Sequence, residues 1–299
     1  MTTQNPDPLT ALDPIGQSPA APPWPRFSGA LSSAEAREFI AFMHELIGLA
    51  FATIRPHFLQ PLTVAHKADA SPVTAADRQT EQALRGLIQA RYPAHAVLGE
   101  EYGARVGGPY RWVLDPIDGT RAFISHCFLF GSLIALERDD GAGFVPVLGA
   151  VAHCAAGTAL IGHRRATTLY CADGTHRPVG VRACERLQDA TVLSSSTWAS
   201  REQRGSAAIE ALARAARMYR TWGDCFGYFA LASGGADVML DPQLGYWDVA
   251  AIVPVIEGAG GRVTSWRGGN PLLEPSLIAT AGALHGPVLD LLRRSEAPP

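Results

Sequence analysis

Charge is sparse in this sequence, and neither sign dominates. Of 299 residues 18% are charged, 25 Lys and Arg against 28 Asp and Glu, for a net of -3. A basic footprint is missing, which argues against a nucleic-acid polymer as partner and leaves small ligands. Cysteine is scarce as well: Cys127, Cys154, Cys171, Cys184 and Cys225 are odd in number and widely spaced. They have neither the short paired spacings of a zinc site nor the density of a disulfide scaffold, and they fit a reducing cytoplasm. The nine histidines show no His-Glu-x-x-His spacing, and nothing ties His126 or His153 to a site. No uninterrupted apolar run suggests a membrane span. The longest stretch without Asp, Glu, Lys or Arg, Gly141 to His163, is broken by five glycines, Pro146 and His153. It reads instead as two buried strands, 144–151 and 158–161. Residues 1–30 have no basic start and no compact apolar segment, so they do not resemble a secretory signal, and their prolines and small residues read as a disordered tail.

What is present is a 47% hydrophobic chain long enough to bury a sizeable core and to form two domains. Ser32 and Ser33 precede Glu35, and Phe39, Ile40, Met43, Leu46, Ile47 and Ala50 follow at helical spacing. A polar loop with Lys67 and Asp69 ends at Pro72, and a second helix is expected over 74–90 with Asp77 in its first turn. Short apolar segments at 96–98, 111–114, 129–136 and 144–151 suggest a mainly antiparallel sheet, so residues 31–183 form an N-terminal α+β domain. Beyond, strands at 191–195, 218–221, 237–240 and 262–265 alternate with helices, giving a C-terminal α/β domain over 184–299.

The strongest local signal is Trp112-Val113-Leu114-Asp115-Pro116-Ile117-Asp118-Gly119-Thr120, an apolar strand running into an expected turn that holds two aspartates. Pro116 fixes the backbone, and Gly119 permits conformations and approaches that a side chain would block. A helix starting after Gly119 would aim its free N–H groups at an anion beside the aspartates, and phosphate is the natural occupant. Phosphate and carboxylates repel unless cations lie between them, and hard oxygen ligands point to Mg2+. Two more segments supply matching pieces: Leu98-Gly99-Glu100-Glu101 at a strand end, and Trp247-Asp248-Val249-Ala250-Ala251 at a helix start. Taken singly, each has a plain reading as a turn, a solvated sheet edge or a helix cap. Ser194, Ser195 and Ser196 lack a nucleophile-elbow pattern and read as a loop.

Together, Gly99-Glu100-Glu101, Asp115 to Thr120 and Trp247 to Ala251 resemble the signatures of the inositol monophosphatase-like family, over residues 35 to 293. The resemblance implies an α/β protein, α+β in its N-terminal part, layered as an α-β-α-β-α sandwich. It implies that Glu100, Asp115, Asp118, Asp248 and the Ile117 carbonyl bind two or three Mg2+ ions, with Asp77 at an outer position. Thr120 and Glu100 match the pair that activates water, Asp118, Gly119 and Thr120 the phosphate cradle, and Glu101 and Lys67 supporting positions. The implied chemistry is direct attack of water on a small phosphate monoester, without a covalent enzyme intermediate. A homodimer is implied too.

Substrate choice must come from groups touching the part of the molecule that is not cleaved. Trp222 to Tyr228, Asp237 to Pro242, Asp118 to Phe123 and Phe130 to Leu136 resemble the histidinol-phosphatase branch more than inositol monophosphatases. Asp224 and Asp241 match lining positions, and two carboxylates suit a cationic leaving group such as histidinol. Plain cap and turn readings stay open for both. Inositol 1-phosphate is the alternative substrate and a 3'-phosphonucleotide a further one. A non-catalytic regulator that binds a phosphate ligand is the alternative of another class.

Overall fold

The computed structural model describes residues 31–67, 71–163, 165–195, 206–274 and 276–296. The expected tail, Asp69 and Ser196 lie outside them. Helix α1 (Ser33–Ile54) begins with a reciprocal cap in which Ser32 and Glu35 satisfy each other's backbone N–H groups, as the Ser/Glu spacing predicts. A short hairpin, β1 (Ala65–His66) and β2 (Pro72–Val73), leads into α2 (Ala75–Arg91). Thr74 and Asp77 form the same kind of cap there.

Strands β3 (Ala96–Gly99), β4 (Gly103–Arg105) and β5 (Tyr110–Asp118), the one-turn helix α3 (Thr120–Ile124), then β6 (Gly131–Asp139), β7 (Phe144–His153), β8 (Thr158–Gly162), β9 (Thr167–Cys171) and β10 (His176–Val179) follow. These eight strands form one sheet in the order β10-β9-β8-β7-β6-β5-β3-β4. Its pairings are antiparallel except for β3 with β5. The predicted boundary at residue 183 falls in the segment that crosses to a second sheet. That sheet is built from β11 (Thr191–Ser194), α4 (Ser206–Ala215), β12 (Met218–Arg220), α5 (Asp224–Ala232), β13 (Val238–Asp241), α6 (Tyr246–Gly258), β14 (Arg262–Thr264), β15 (Leu277–Thr280) and α7 (His285–Glu296). Its five strands run in the order β12-β11-β13-β15-β14, parallel around β11 and antiparallel around β15.

Alternation along the strands assigns the faces. Trp112, Leu114, Ile134, Leu136 and Leu148 pack with α1 and α2, whereas Val113, Leu133, Ala135 and Val151 pack with α5 and α6. The far side of α5 and α6 meets Leu193, Met239, Leu277 and Ala279 of the second sheet. The outer face of that sheet, including Val192, Val238, Leu240 and Ile278, is covered by α4 and α7. The result is the five-layer α-β-α-β-α sandwich. Helix α6 lies against the first sheet so closely that a Cβ on Gly149 would stand 2.2 Å from the Ala251 carbonyl oxygen. No helix among the described residues is long and apolar enough to cross a membrane.

One expectation is corrected. The residues from Asp115 to Asp118 do not form a turn but complete β5. Burial on both sides and pairing with β6 carry the strand through them, and the chain reverses only beyond Gly119.

Candidate active site

Strand register sets the site. In the parallel pair Gly99 stands beside Leu114, so Glu100 and Asp115, the next residues, leave the same end of the sheet together. The Glu100 N–H donates to the Leu114 carbonyl at 3.1 Å. Residues three apart on a regular strand point to opposite faces, yet Asp115 and Asp118 share one pocket. The pairing of β5 with β6 shifts between them, and the Ser132 hydroxyl donates to the Pro116 carbonyl at 2.7 Å within the irregularity.

Gly119 follows with φ +78°, left-handed backbone that favours glycine, and α3 starts at Thr120. The Thr120 hydroxyl donates to the Ile117 carbonyl at 3.0 Å. From the other side of the pocket, α6 brings Asp248 in its first turn, where it accepts from the Gly245 N–H at 2.7 Å. Among the described residues, the carboxylates whose oxygens lie within 4.8 Å of one another are those of Asp115, Asp118 and Asp248. Glu100 stands outside this group. Its Oε1 is 2.6 Å from Lys67 Nζ, which also reaches Glu101 at 2.5 Å. Lys67 is the only lysine in the chain. Asp77 is buried, and its Oδ2 accepts both the N–H and the hydroxyl of Thr74 at 2.8 and 2.6 Å, so helix capping engages it first.

The cluster is electrostatically overloaded. Burial, then the charges of Glu100, Asp118 and Asp248, push the Asp115 carboxyl far above the ordinary carboxylate range. Burial and the charge of Asp248 raise Asp118. Burial raises Asp248 against a hydrogen bond with Asp115 and the Gly245 N–H, which work to lower it. Asp115 Oδ1 is buried without a hydrogen-bond partner. An orphaned oxygen and three mutually repelling hard ligands fit a divalent cation, which would favour the ionised form of each carboxyl.

The pocket's other wall comes from α5. Asp224 starts that helix at φ 51°, a conformation disfavoured for a side-chain-bearing residue and found where function holds it. Its N–H donates to Ser195 Oγ at 2.8 Å, and the next N–H, of Cys225, donates to Asp118 Oδ2 at 2.5 Å. A Cβ on Gly119 would lie 3.1 Å from Asp224 Oδ2, so this carboxylate sits directly against the turn. Burial, then the charges of Asp118 and Asp241, raise it. Asp241 is brought near but is fully engaged: Ser195 N–H donates to Oδ1 at 3.3 Å and Tyr228 hydroxyl to Oδ2 at 2.8 Å. Ser195 links Asp241 to Asp224, a role that the run of serines gave no sign of. His153 belongs to the core, its Nδ1 2.8 Å from the Phe130 carbonyl.

A layered α/β sandwich with a cluster of three aspartates between its sheets suits the class of metal-dependent phosphoric monoester hydrolases. Within it, the chain belongs to the inositol monophosphatase family, whose sequence pattern matches residues 35–297. A chloroplastic bifunctional phosphatase of Arabidopsis thaliana, IMPL2, is 36% identical over 262 residues, 85% of this chain and 72% of that protein. A histidinol-phosphatase of Mycobacterium tuberculosis is 35% identical over 236 residues, 77% of this chain and 88% of its own length. The structure of an inositol monophosphatase from Zymomonas mobilis matches with a TM-score of 0.75 at 34% identity, covering 88% of this chain and all of that one, 100%.

Proposed function

We propose that the chain hydrolyses L-histidinol phosphate to L-histidinol and phosphate, with Mg2+ held by Asp115, Asp118, Asp248, Glu100 and the Ile117 carbonyl, and Asp77 at an outer position. When bound, two or three such ions supply charge neutralisation for the phosphate and acidify a coordinated water. The chain's own residues do the rest. Thr120 commits its hydroxyl proton to Ile117, which leaves its oxygen free to accept a hydrogen bond from the attacking water and orient it. Glu100 is the base that takes the water's proton, and Lys67, which also pairs with Glu101, holds that carboxylate in place. Gly119 and the first residues of α3 give the phosphate room beside backbone N–H groups.

The observation that carries the substrate assignment is Asp224, a carboxyl pressed against the Gly119 turn. Burial first, and then the charges of Asp118 and Asp241, raise its pKa. A leaving group with an ammonium and an imidazole relieves that repulsion and gains a charge-assisted hydrogen bond, whereas a neutral polyol does not. Asp241 supports this indirectly, by fixing Ser195 and Tyr228 behind Asp224. The named histidinol-phosphatase relative favours the same choice. A homodimer and a cytoplasmic setting belong to this reading as well.

The test is a panel of histidinol phosphate, inositol 1-phosphate and a 3'-phosphonucleotide, compared by kcat/KM with magnesium and again with chelator. Histidinol phosphate should lead, and chelator should abolish turnover. Preference for inositol 1-phosphate would replace the substrate, and absence of turnover throughout would favour a phosphate-binding regulator.

A further inference from the structure

We infer that Glu81 is a positioning residue for the turn that carries Glu100 and Glu101; the inference rests on the phosphatase reading above. Glu81 lies on α2 one helical turn after Asp77, and its side chain is 0% exposed. A buried carboxylate is costly unless hydrogen bonds surround it, and here the donors come from one short segment. The Glu101 N–H donates to Glu81 Oε2 at 2.7 Å and the Tyr102 N–H to Oε1 at 3.2 Å. Arg85, one turn further along α2, donates its Nε to Oε1 at 2.7 Å, and its Nη2 also donates to the Gly103 carbonyl.

The strand is shaped to admit this carboxylate. A Cβ on Gly99 would fall 2.1 Å from Glu81 Oε1 and 2.4 Å from its Cδ, so any side chain there would evict it. Glu100 is thus pinned on both sides. Its own N–H is tied to Leu114, the residue before Asp115, and the two N–H groups that follow are tied to Glu81. Arg85 neutralises Glu81, which marks it as an anchor rather than another cation ligand. Because Asp77 and Glu81 ride on one helix, α2 sets the spacing between the outer acidic position and the Glu100 turn. Anchors of this kind, which hold ligands rather than touch the reacting atoms, typically change metal affinity or activity about 10- to 100-fold when removed.

The experiment uses Glu81→Gln, which keeps the volume and removes one acceptor oxygen. Hydrogen exchange on the chelator-treated protein should show the amides of Glu101 and Tyr102 protected in the wild type and exposed in the variant, with β5 unchanged. In turnover, kcat should fall and the half-saturating magnesium concentration rise, each about 10- to 100-fold, while KM moves less. Gly99→Ala should reproduce the pattern from the other side of the contact, and serves if Glu81→Gln does not fold. Wild-type kcat and magnesium midpoint in a folded variant would overturn the inference. So would fast exchange of both amides in the wild type, which needs no variant. If the wild type hydrolyses no ester, the phosphatase reading fails by itself, and hydrogen exchange alone then decides the role of Glu81.

Discussion

Asp224 is the residue on which the substrate proposal turns, because it combines a disfavoured backbone, a half-buried position and contact with the Gly119 turn. Asp224→Asn keeps the shape and removes the charge that a cationic leaving group needs. We expect kcat/KM for histidinol phosphate to drop by about 10-fold or more, consistent with loss of a charge-assisted hydrogen bond, while activity on inositol 1-phosphate changes less. Equal losses on both esters, measured side by side, would reduce Asp224 to a structural part of the turn. At this scale the sequence was informative about chemistry and silent about contact. The spelling Asp-Pro-Ile-Asp-Gly-Thr has a plain turn reading by itself and points to a site only in combination with Gly99-Glu100-Glu101 and Trp247-Asp248. Nothing in it shows that Asp241 spends both oxygens on Ser195 and Tyr228, or that Glu81 reaches the turn after Gly99. The four-residue interval from Asp77 to Glu81, which places both on one helix face, was the available signal.

At the scale of elements, α6 matters most, since it carries Asp248 and sits between the sheets. Its first residue, Tyr246, donates its hydroxyl to Glu137 Oε1 at 2.5 Å and accepts from Arg111 Nη2 at 2.9 Å. Glu137 is 0% exposed and also accepts from Arg111 Nε at 2.6 Å. Tyr246→Phe leaves a buried carboxylate short of one donor, which should lower the unfolding free energy by about 1–3 kcal/mol in urea titration. Activity should fall as well, because Asp248 lies two residues along the loosened end. Unchanged stability would mean that the helix is held by apolar packing alone. Helices α1, α2 and α6 were legible from spacing and caps, as were most strands of the first sheet. Strands β9, β10 and β15 were not, because what fixes them is pairing with distant neighbours and not their own pattern. The same holds for the extension of β5 through Asp118, where a proline and two acids read locally as a turn and tertiary burial overrules them.

For the whole molecule, gathering so many acids links stability to pH and to cations. Asp115, Asp118, Asp224 and Asp248 all have folded pKa values above the ordinary carboxylate range. The stability they contribute is complete below the unfolded value of roughly 4, and is lost as pH rises through the raised folded values. Two buried histidines act the other way. Burial pushes His153 and His285 down to about 4, so their contribution is present above the usual histidine value and lost as pH falls toward 4. Comparing the wild type with Asp118→Asn separates the two effects. In chelator the wild type should lose melting temperature relative to the variant as pH rises from 5 to 8, and added magnesium should restore more at the higher pH. A difference that does not vary with pH would deny the carboxylates their shared charge. The five-layer architecture is implied by the family resemblance, but the shared core of α5 and α6 is not, since it depends on which faces two sheets present to each other.

The clasp of Lys67 on Glu100 and Glu101 has a practical consequence, because the chain contains no second lysine. Burial works to lower the pKa of this amine, but its hydrogen bonds and ion pairs with the two carboxylates prevail and raise it. An acylating label therefore has one side chain to modify besides the α-amine, and finds it shielded. Once a ligand draws the carboxylates elsewhere, the amine is released to react. Under the proposed role of Glu100 as a cation ligand, the rate of labelling then reports occupancy of that ligand set, whereas coupling to an amine-reactive support would tether the chain through the residue that pairs with Glu100.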